Sequence, residues 1–394
     1  MFVRELTLRD FRSWPQVSLS LRPEATIFVG RNGFGKTNLV ESLFYLTNLR
    51  SHRVSSDAVL VRTGAADAQL TATVEHAGRE LTVDLTVRSE GSNKAAINGR
   101  PVRRTREVVG ILRSVLFAPE DLALVRGEPA DRRRFLDEIV ANRGPGAIAD
   151  KADYDRVLRQ RSALLKSAAA AMRRGGSEAA SIISTLDVWD AQLAGFGARV
   201  TAARIDDVAK LNPLFTQAYS AIAPHSRPAS LTYRCSLGPE VINPDGSAVD
   251  TAAIEALMIE KLAAVRGKEI DRGQSLLGPH RDDLDIVLGS DVAKGFASHG
   301  ESWSLALSLR LGTVELLRTE GIEPVIMLDD VFAELDAARR THLATFVESA
   351  EQLLITAAVA EDLPDGIGGR IIGVDIEDNE GERRSQIREV SHER

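Results

Sequence analysis

The sequence predicts an α/β fold in which a head, with an antiparallel β subdomain, is interrupted by an inserted, mainly α-helical arm domain. Short apolar runs that end in polar turns indicate strands, and they occur near both ends of the chain. The middle of the chain is instead rich in Ala, Arg and Leu, with apolar residues at helical spacing. We therefore expect a head formed by residues 1–125 and 275–394 and an arm formed by residues 126–270.

The N-terminal part of the predicted head has strand patterns. Ala25–Val29 is a continuous apolar run, which is typical of a strand covered on both faces. Residues 70–74 and 81–87 are rich in Val, Leu and Thr, and Asn98–Gly99 is a tight-turn signal. Residues 70–74 and 81–87 and this turn predict the antiparallel β subdomain, beside the core that contains Ala25–Val29.

The predicted arm begins with Pro129, which suits the first turn of a helix. One group of apolar residues in the arm recurs three or four residues apart: Leu186, Trp189, Leu193, Phe196 and Val200. This seam covers only about two heptads, which favours an ordinary helix-packing face over a long coiled coil. Strand-like runs return at Val325–Leu328 and Leu353–Thr356, where the head is expected to resume.

Composition limits the classes of protein that fit. The chain has 394 residues, is 44% hydrophobic and 27% charged, and has one cysteine, so we expect a folded protein without an internal disulfide. No apolar run approaches the ~20 residues of a membrane span, and we expect a cytoplasmic protein with no membrane partner. Net charge is −7, but residues 126–174 contain twelve Lys and Arg and seven Asp and Glu. This basic zone is either a local phosphate-binding surface or a solvated helix face.

A glycine-rich loop at residues 30–37 fits the pattern Gly-x-x-x-x-Gly-Lys-[Ser/Thr]. Glycines permit torsions that let main-chain N–H groups close around phosphate oxygens. The lysine would reach the β- and γ-phosphates, and the threonine hydroxyl would bind Mg²⁺. A buried strand precedes the loop and an amphipathic helix follows it, which predicts ATP or GTP binding. The expected nucleotide-binding residues are Gly30, Arg31, Asn32, Gly33, Phe34, Gly35, Lys36 and Thr37.

A second motif lies at the end of the apolar run Val325–Leu328, which is followed by two carboxylates. Asp329 would hold Mg²⁺ through its water shell, together with Thr37. Asp330 stands where a general base could accept a proton from the attacking water. We therefore expect Lys36, Asp329 and Asp330 to be the catalytic residues; the alternative is a strand that ends at a solvated acidic turn.

Ser298 and Gly300 form a third motif, at the start of a predicted helix where an anion could bind. Alone, these two residues fit a plain helix N-cap equally well. The phosphate loop, the Ser-x-Gly motif and the acidic strand occur in this order along the chain. This order resembles that of the ATP-binding-cassette (ABC) ATPases. In that family the signature serine and glycine bind the γ-phosphate across a dimer interface, which implies the same role for Ser298 and Gly300.

Several longer runs resemble the RecF family, part of the SMC/Rad50-like branch of the ABC ATPases. The most specific is Gly278–Leu284, and the resemblance extends from about Phe2 to about Pro364. The matching runs are residues 6–13, 116–127, 132–137, 278–284 and 329–336. The resemblance implies an ABC-type P-loop ATPase head in which Glu334 and Asp336 belong to a loop that contacts a partner subunit. The sequence lacks the family-type switch histidine after Leu353–Thr356 and a glutamine near residues 118–122.

The resemblance also implies a function and partners. RecF proteins bind ATP, dimerise with it and bind single-stranded and double-stranded DNA. They act with RecO and RecR at single-strand gaps and stalled forks, and they help to load RecA. Their ATPase is slow, and a helical arm replaces a long coiled coil.

We expect DNA binding to be independent of base sequence and sensitive to salt. The arginines expected to contact DNA follow the Asn98–Gly99 turn or begin the arm: Arg103, Arg104, Arg106, Arg132, Arg133 and Arg134. Intramolecular ion pairs are the alternative role for these six side chains.

Four other function classes compete with this interpretation. A transporter ATPase subunit would place its acidic strand much closer to the phosphate loop, and a small-molecule kinase would lack Ser298, Gly300 and the Glu334–Asp336 loop. A relative with a nuclease domain would need a carboxylate-rich domain after Asp336. A protein that uses ATP as a clamp without hydrolysing it remains an alternative, because the expected base is an aspartate.

Overall fold

A computed structural model of the chain describes residues 1–173, 178–364, 366–379 and 382–388. Parts of the predicted arm and head lie outside these residues: 174–177 in the arm, which include Arg174 at the end of the basic zone, and 365, 380, 381 and 389–394 in the head. Of the helices in the described residues, none combines the length and the apolarity needed to cross a bilayer.

Strands and helices alternate in long blocks along the described chain. The strands are β1 (Phe2–Phe11), β2 (Trp14–Ser20), β3 (Ala25–Val29), β4 (Asp67–His76), β5 (Arg79–Arg88), β6 (Lys94–Ile97), β7 (Arg100–Pro101), β8 (Ser114–Phe117), β9 (Ala229–Arg234), β10 (Asp283–Leu288), β11 (Asp291–Val292), β12 (Val325–Asp329), β13 (Leu353–Ala357), β14 (Arg370–Asn379) and β15 (Glu382–Arg388). The α-helices are α1 (Lys36–Asn48), α2 (Leu122–Arg126), α3 (Pro129–Arg143), α4 (Pro145–Arg173), α5 (Glu178–Ile222), α6 (Thr251–Arg272), α7 (His299–Thr319), α8 (Val331–Glu334) and α9 (Ala337–Val347).

The sheet that positions the phosphate loop has the strand order β15-β14-β3-β13-β12-β8. Strands β14, β3, β13, β12 and β8 are parallel, and β15 is antiparallel to β14. Because parallel strands end at the same edge, the loop after β3 and the carboxylates at the end of β12 share that edge. Strands β12 and β13 are buried along their whole length, as their continuous apolar runs predict.

An antiparallel sheet with the order β2-β1-β4-β5-β6-β7 covers one side of helix α1. The predicted strands at residues 70–74 and 81–87 lie within β4 and β5. Leu6 and Leu8 of β1 and Leu43 of α1 belong to one buried core. The predicted antiparallel β subdomain is therefore present in the fold.

The helices α4, α5 and α6 form the bulk of the predicted arm. Helix α5 has 45 residues and continues through Pro213, so it is much longer than the seam that was predicted within it. Leu193 of that seam is fully buried in the same core as Leu211 and Phe215. Leu305 and Leu309 of α7 belong to this core as well, so the arm and the following helix share one apolar cluster.

A three-stranded sheet with the order β11-β10-β9 spans the predicted boundary between arm and head. Strand β9 lies in the predicted arm and β10 in the predicted head, yet they pair antiparallel, with Leu231 opposite Ile286. The buried side chains of this sheet pack into the core shared by α5 and α7. This shared core holds β9 and β10 together, although they come from different predicted parts. The two-part division stays a prediction, and this small sheet belongs to both parts.

A buried ion-pair network joins the arm helices. Arg161 of α4 donates to Asp190 of α5 at 2.5 Å and to Glu269 of α6 at 2.6 Å. Its third donor bonds to Ser275 Oγ at 2.9 Å. All these side chains are buried, so each charge depends on the others for compensation.

Replacing Arg161 with Ala should destabilise the protein by about 3–5 kcal/mol, because Glu269 is left charged, buried and without its guanidinium. Urea unfolding would measure the loss. Arg199→Ala is the matched control, because Arg199 pairs with Asp150 at 2.8 Å near the surface. Loss of an exposed pair costs at most about 1 kcal/mol. Similar losses in the two variants would contradict the compensating role of Arg161.

Candidate nucleotide-binding site

The phosphate-loop segment, residues 30–37, leaves β3 and enters α1 at Lys36. Gly33 has φ 84° and Gly35 has φ 101°, torsions that favour glycine. The indole of Trp14, at the start of β2, donates to the Gly35 carbonyl at 3.0 Å. The loop thus lies at the N-terminus of α1, where main-chain N–H groups and the helix dipole favour an anion.

The back of this loop is formed by strands β14 and β15. A methyl group on Gly30 would overlap the Val374 carbonyl oxygen, and one on Gly35 would overlap Ser385 Oγ. Ser385 Oγ lies 2.7 Å from the Phe34 carbonyl oxygen. Sequence reasoning did not find Val374 or Ser385, because no local pattern relates them to a loop more than 300 residues earlier; Ser385 and Phe34 are 351 residues apart.

Lys36 and Thr37 contact the residues that the sequence assigned to the same site. Lys36 is 3% exposed, and its Nζ donates to the Gly30 carbonyl at 2.7 Å. Thr37 Oγ1 donates to Asp329 Oδ1 at 2.9 Å. The structure therefore brings the phosphate loop and the acidic end of β12 together, as predicted.

Asp329 is 4% exposed and accepts a second hydrogen bond, from Thr356 Oγ1 at 2.6 Å. Burial raises the pKa of Asp329 to about 6, although the hydrogen bonds from Thr356 and Thr37 lower it. The charges of Asp330 and Glu120 add to the increase. A cation beside Asp329 would favour the ionised carboxylate.

The donor set at this edge fits Mg²⁺. Thr37 and Asp329 supply hard oxygen donors, and Mg²⁺ is commonly held by one or two carboxylates plus waters and substrate phosphates. Within the described residues, no group of three or more His, Cys, Asp or Glu forms an all-protein metal cage. The protein side of the site therefore suits a cation that keeps most of its ligands from water and phosphate.

Asp330 follows β12 with φ 50°, in the left-handed region. Its N–H donates to Thr356 Oγ1 at 2.9 Å, and the same hydroxyl donates to Asp329. Thr356 therefore fixes both carboxylate residues from the neighbouring strand β13. Sequence reasoning missed Thr356, although a polar residue near the end of an apolar strand beside the site could have suggested it.

Ser298 is the N-cap of α7. Its Oγ accepts from the Glu301 N–H at 3.2 Å, and Glu301 accepts from the Ser298 N–H at 2.8 Å, which is a capping box. Ser298 is exposed, and in the described part of the chain no hydrogen bond joins it or Gly300 to residues 30–37. The structure thus forms the predicted helix start but does not bring it into the loop of the same chain.

Arg339 of α9 ties that helix start to the acidic loop before α9. It donates to the Gly300 carbonyl at 3.1 Å and to Ser304 Oγ at 2.8 Å. It also pairs with Asp336 through its guanidinium and its main-chain N–H. The segments carrying Gly300 and Asp336 are therefore held together, a link that the sequence did not suggest.

Arg132 does not fit its expected role as a DNA contact. It is 6% exposed and pairs with Asp283 at 2.8 Å, and it also donates to the Gly127 carbonyl at 3.1 Å. A guanidinium buried in an internal ion pair cannot reach a phosphate, so the expectation for Arg132 was wrong. Arg133 bonds to the Asp282 carbonyl at 2.9 Å, and the exposed Arg134 pairs with Asp131.

The other predicted DNA contacts lie nearer the surface. Arg103 and Arg104 are exposed. Arg106 is half-buried and lies 3.5 Å from Asp153 and 3.4 Å from the Ala149 carbonyl of α4. These three arginines remain predicted contacts, as do Arg133 and Arg134.

Comparison with known proteins decides the family. The profile of a family described as the RecF/RecN/SMC N terminal domain matches residues 2–381. The DNA replication and repair protein RecF of Rhodococcus erythropolis is 56% identical, over 98% of this chain and 97% of that protein. The chain belongs to the RecF family.

Solved structures agree with the fold of this RecF-family chain. One, described as the recombination mediator protein RecF-ATPrS in the RecFOR pathway, has a TM-score of 0.83 at 24% identity and covers 98% of both chains. Another, described with ATP, has a TM-score of 0.83 at 24% identity and covers 94% of this chain and 95% of that chain. An Smc head from Pyrococcus furiosus has a TM-score of 0.52 at 16% identity and covers 98% of this chain and 96% of that chain. The predicted ABC-type head with its helical insertion is thereby confirmed as the fold class.

Gly35→Ala should destabilise the RecF-family chain more than Gly33→Ala does. Both substitutions impose a left-handed torsion on alanine, at a cost of roughly 1–2 kcal/mol. Only the methyl group at Gly35 would also meet Ser385 and Ser13, which adds about 1–3 kcal/mol of overpacking. Thermal unfolding of the two variants would measure the difference. Equal losses of stability in the two variants would mean that strands β14 and β15 do not constrain the loop.

Proposed function

We propose that this RecF-family chain is an ATP-dependent DNA-binding protein of recombinational DNA repair and replication restart. It acts at single-strand gaps and junctions with RecO and RecR, and it promotes RecA loading. The observation that carries the proposal is the contact between Thr37 and Asp329 at 2.9 Å beside the glycine-rich loop. The 56% identical relative is named a DNA replication and repair protein, and the solved relatives are described with the RecFOR pathway.

ATP is the proposed nucleotide because solved relatives of the same fold are described with ATP and ATPrS. Main-chain N–H groups of residues 30–37 would bind phosphate oxygens, and Lys36 would neutralise charge on the terminal phosphates. Thr37 and Asp329 would hold Mg²⁺, which supplies charge stabilisation to the transferred phosphoryl group. The role of the protein at this edge is therefore to position and neutralise the nucleotide.

Asp330 is the proposed proton acceptor for the attacking water. It lies directly after Asp329, the proposed Mg²⁺ ligand, and its main-chain N–H donates to Thr356 Oγ1 at 2.9 Å. Slow hydrolysis is expected, because the sequence has no histidine beyond His342 until His392 to help orient that water.

The active form is proposed to be a homodimer with composite ATP sites. Ser298 and Gly300 lie at an exposed helix start that does not bond to the loop of its own chain. They would therefore complete the site of a second copy, where the N-terminus of α7 favours an anion. Nucleotide bound between two copies stabilises the dimer by linkage.

A clamp that binds ATP without turnover is the second proposed function. The observation that favours it concerns the Thr356 hydroxyl, which accepts from the Asp330 N–H and donates to Asp329. Both bonds are made within the protein, so this hydroxyl is not available to the attacking water, and the described residues offer no further catalytic donor at the end of β13. The two functions differ only in whether ATP is cleaved.

Asp330→Asn should leave ATP binding intact and lower hydrolysis by about 10²–10⁴-fold, because the proton acceptor is lost. Binding of a fluorescent ATP analogue and single-turnover hydrolysis would separate the two effects. Lys36→Arg is the contrasting variant: the wider guanidinium does not reproduce the compact ammonium charge, so nucleotide binding itself should weaken. Wild-type turnover in the Asp330 variant would remove Asp330 from the catalytic residues and favour another base.

Ser298→Arg should abolish ATP-driven dimerisation and turnover while the monomer keeps its ATP affinity, because a long side chain would fill the partner's phosphate pocket. Sedimentation with Mg²⁺ and a non-hydrolysable ATP analogue would measure dimerisation.

Ser298→Asp is the control for loss of the helix cap. Aspartate caps a helix as well as serine does, yet its charge repels the phosphate. It should therefore keep wild-type stability and still prevent dimerisation. If wild-type protein stays monomeric at tens of micromolar, the composite-site proposal is wrong even with the loop occupied.

A further inference from the structure

We propose that the groove between residues 104–109 and helix α4 binds the sugar-phosphate backbone of DNA. This inference rests on the proposed DNA-binding function and assigns it to a specific surface. The groove has a volume of about 700 Å³. One wall carries Arg104 and Arg106, and the other carries Lys151, Arg156 and Arg159 of α4.

The cations of α4 lie along the groove. Lys151, Arg156 and Arg159 all line the groove, and Arg156 and Arg159 are neighbours three residues apart on the helix surface. Eight residues of α-helix span about 12 Å. Consecutive phosphates on one DNA strand advance about 3.4 Å along the axis, so this length corresponds to about three to four steps between phosphates. A line of charges of this length suits a polyanion better than a small anion.

The charge of the groove is only partly neutralised within the chain. Two carboxylates line it, Asp153 and Asp155, against five cations. Arg106 at 3.5 Å and Arg156 at 3.3 Å share Asp153. Lys151 lies 2.5 Å from Asp155 and 3.6 Å from Asp137, which is outside the groove lining. The groove therefore keeps a positive charge on a chain whose net charge is −7, which concentrates phosphate binding there.

Arg104 and Arg159 are the two side chains best able to contact phosphate. Both are exposed, and no described Asp or Glu pairs with either guanidinium. They stand on opposite walls of the groove. A DNA strand between them would therefore meet an available guanidinium from each side.

Arg106 has a positioning role in this groove. It bridges the walls by donating to the Ala149 carbonyl at 3.4 Å and to Asp153 at 3.5 Å. Half-buried Leu49 and Ile148 also line the groove, and they offer an apolar surface to deoxyribose. The separation of the two cationic walls is thus set by contacts within the protein.

The test is the double variant Arg104→Ala, Arg159→Ala in the full chain, with a non-hydrolysable ATP analogue and a fluorescent gapped duplex. Each lost phosphate contact should reduce the slope of log affinity against log salt by about 0.9, so the double variant should lose about 1.8. At 0.1 M salt this corresponds to affinity about 60-fold weaker, if both contacts are purely electrostatic. The loss should be equal for gapped duplexes of two unrelated base sequences.

Two further variants show whether charge at this place matters. Arg104→Lys with Arg159→Lys keeps both charges and should keep most of the slope. Arg79→Ala is the matched control, because Arg79 is an exposed arginine of the β4–β5 hairpin without a described carboxylate partner, and it should leave DNA binding unchanged. If the double alanine variant is unstable, Arg159→Glu alone tests the exposed wall and should also weaken binding.

The outcomes separate this inference from the function on which it rests. If wild-type protein does not bind the gapped duplex, the proposed function fails. If wild-type protein binds and the double variant has the same affinity and salt slope, the groove is not the DNA surface and the inference is overturned. Normal DNA binding with loss of ATP-driven dimerisation would assign the groove to a protein partner instead.

Discussion

The fold depends on the parallel alignment of β3, β13 and β12. Parallel pairing places the end of β13 between the phosphate loop and the acidic end of β12, although nearly 300 residues separate Thr37 from Asp329 in sequence. Thr356 on the central strand bonds to the carboxylate of Asp329 and to the main chain of Asp330. The whole arm is inserted between these strands without disturbing their register, because the register is set by ladder hydrogen bonds within the sheet.

Local pattern predicted the parts of the fold and site that depend on local physics. Continuous apolar runs located β3 and β12 almost to the residue, because a strand buried on both faces tolerates few polar side chains. The torsions of Gly33 and Gly35 follow from the phosphate-loop pattern itself. Ser385 could not be predicted in this way, because its contact with the loop arises only when distant strands pair.

Charge was the least predictable property, because a sequence records a charge but not its partner. Arg132 and Arg104 are the same residue type, so the sequence does not distinguish them. In the structure, Arg132 pairs with Asp283, 151 residues away, whereas Arg104 is exposed. The small sheet that joins the predicted arm to the predicted head was missed for a related reason. The pairing of β9 with β10 joins segments about 50 residues apart across a helix, and no composition change marks that contact.

The back wall of the phosphate loop has a consequence for synthesis. Ser385 contacts Phe34, which leaves the ribosome 351 residues earlier. At about 5–20 residues per second, the wall is made roughly 20–70 seconds after the loop. During that interval the nascent N-terminal segment lacks its final strand contacts, so nucleotide cannot find the finished pocket and help the early chain to fold.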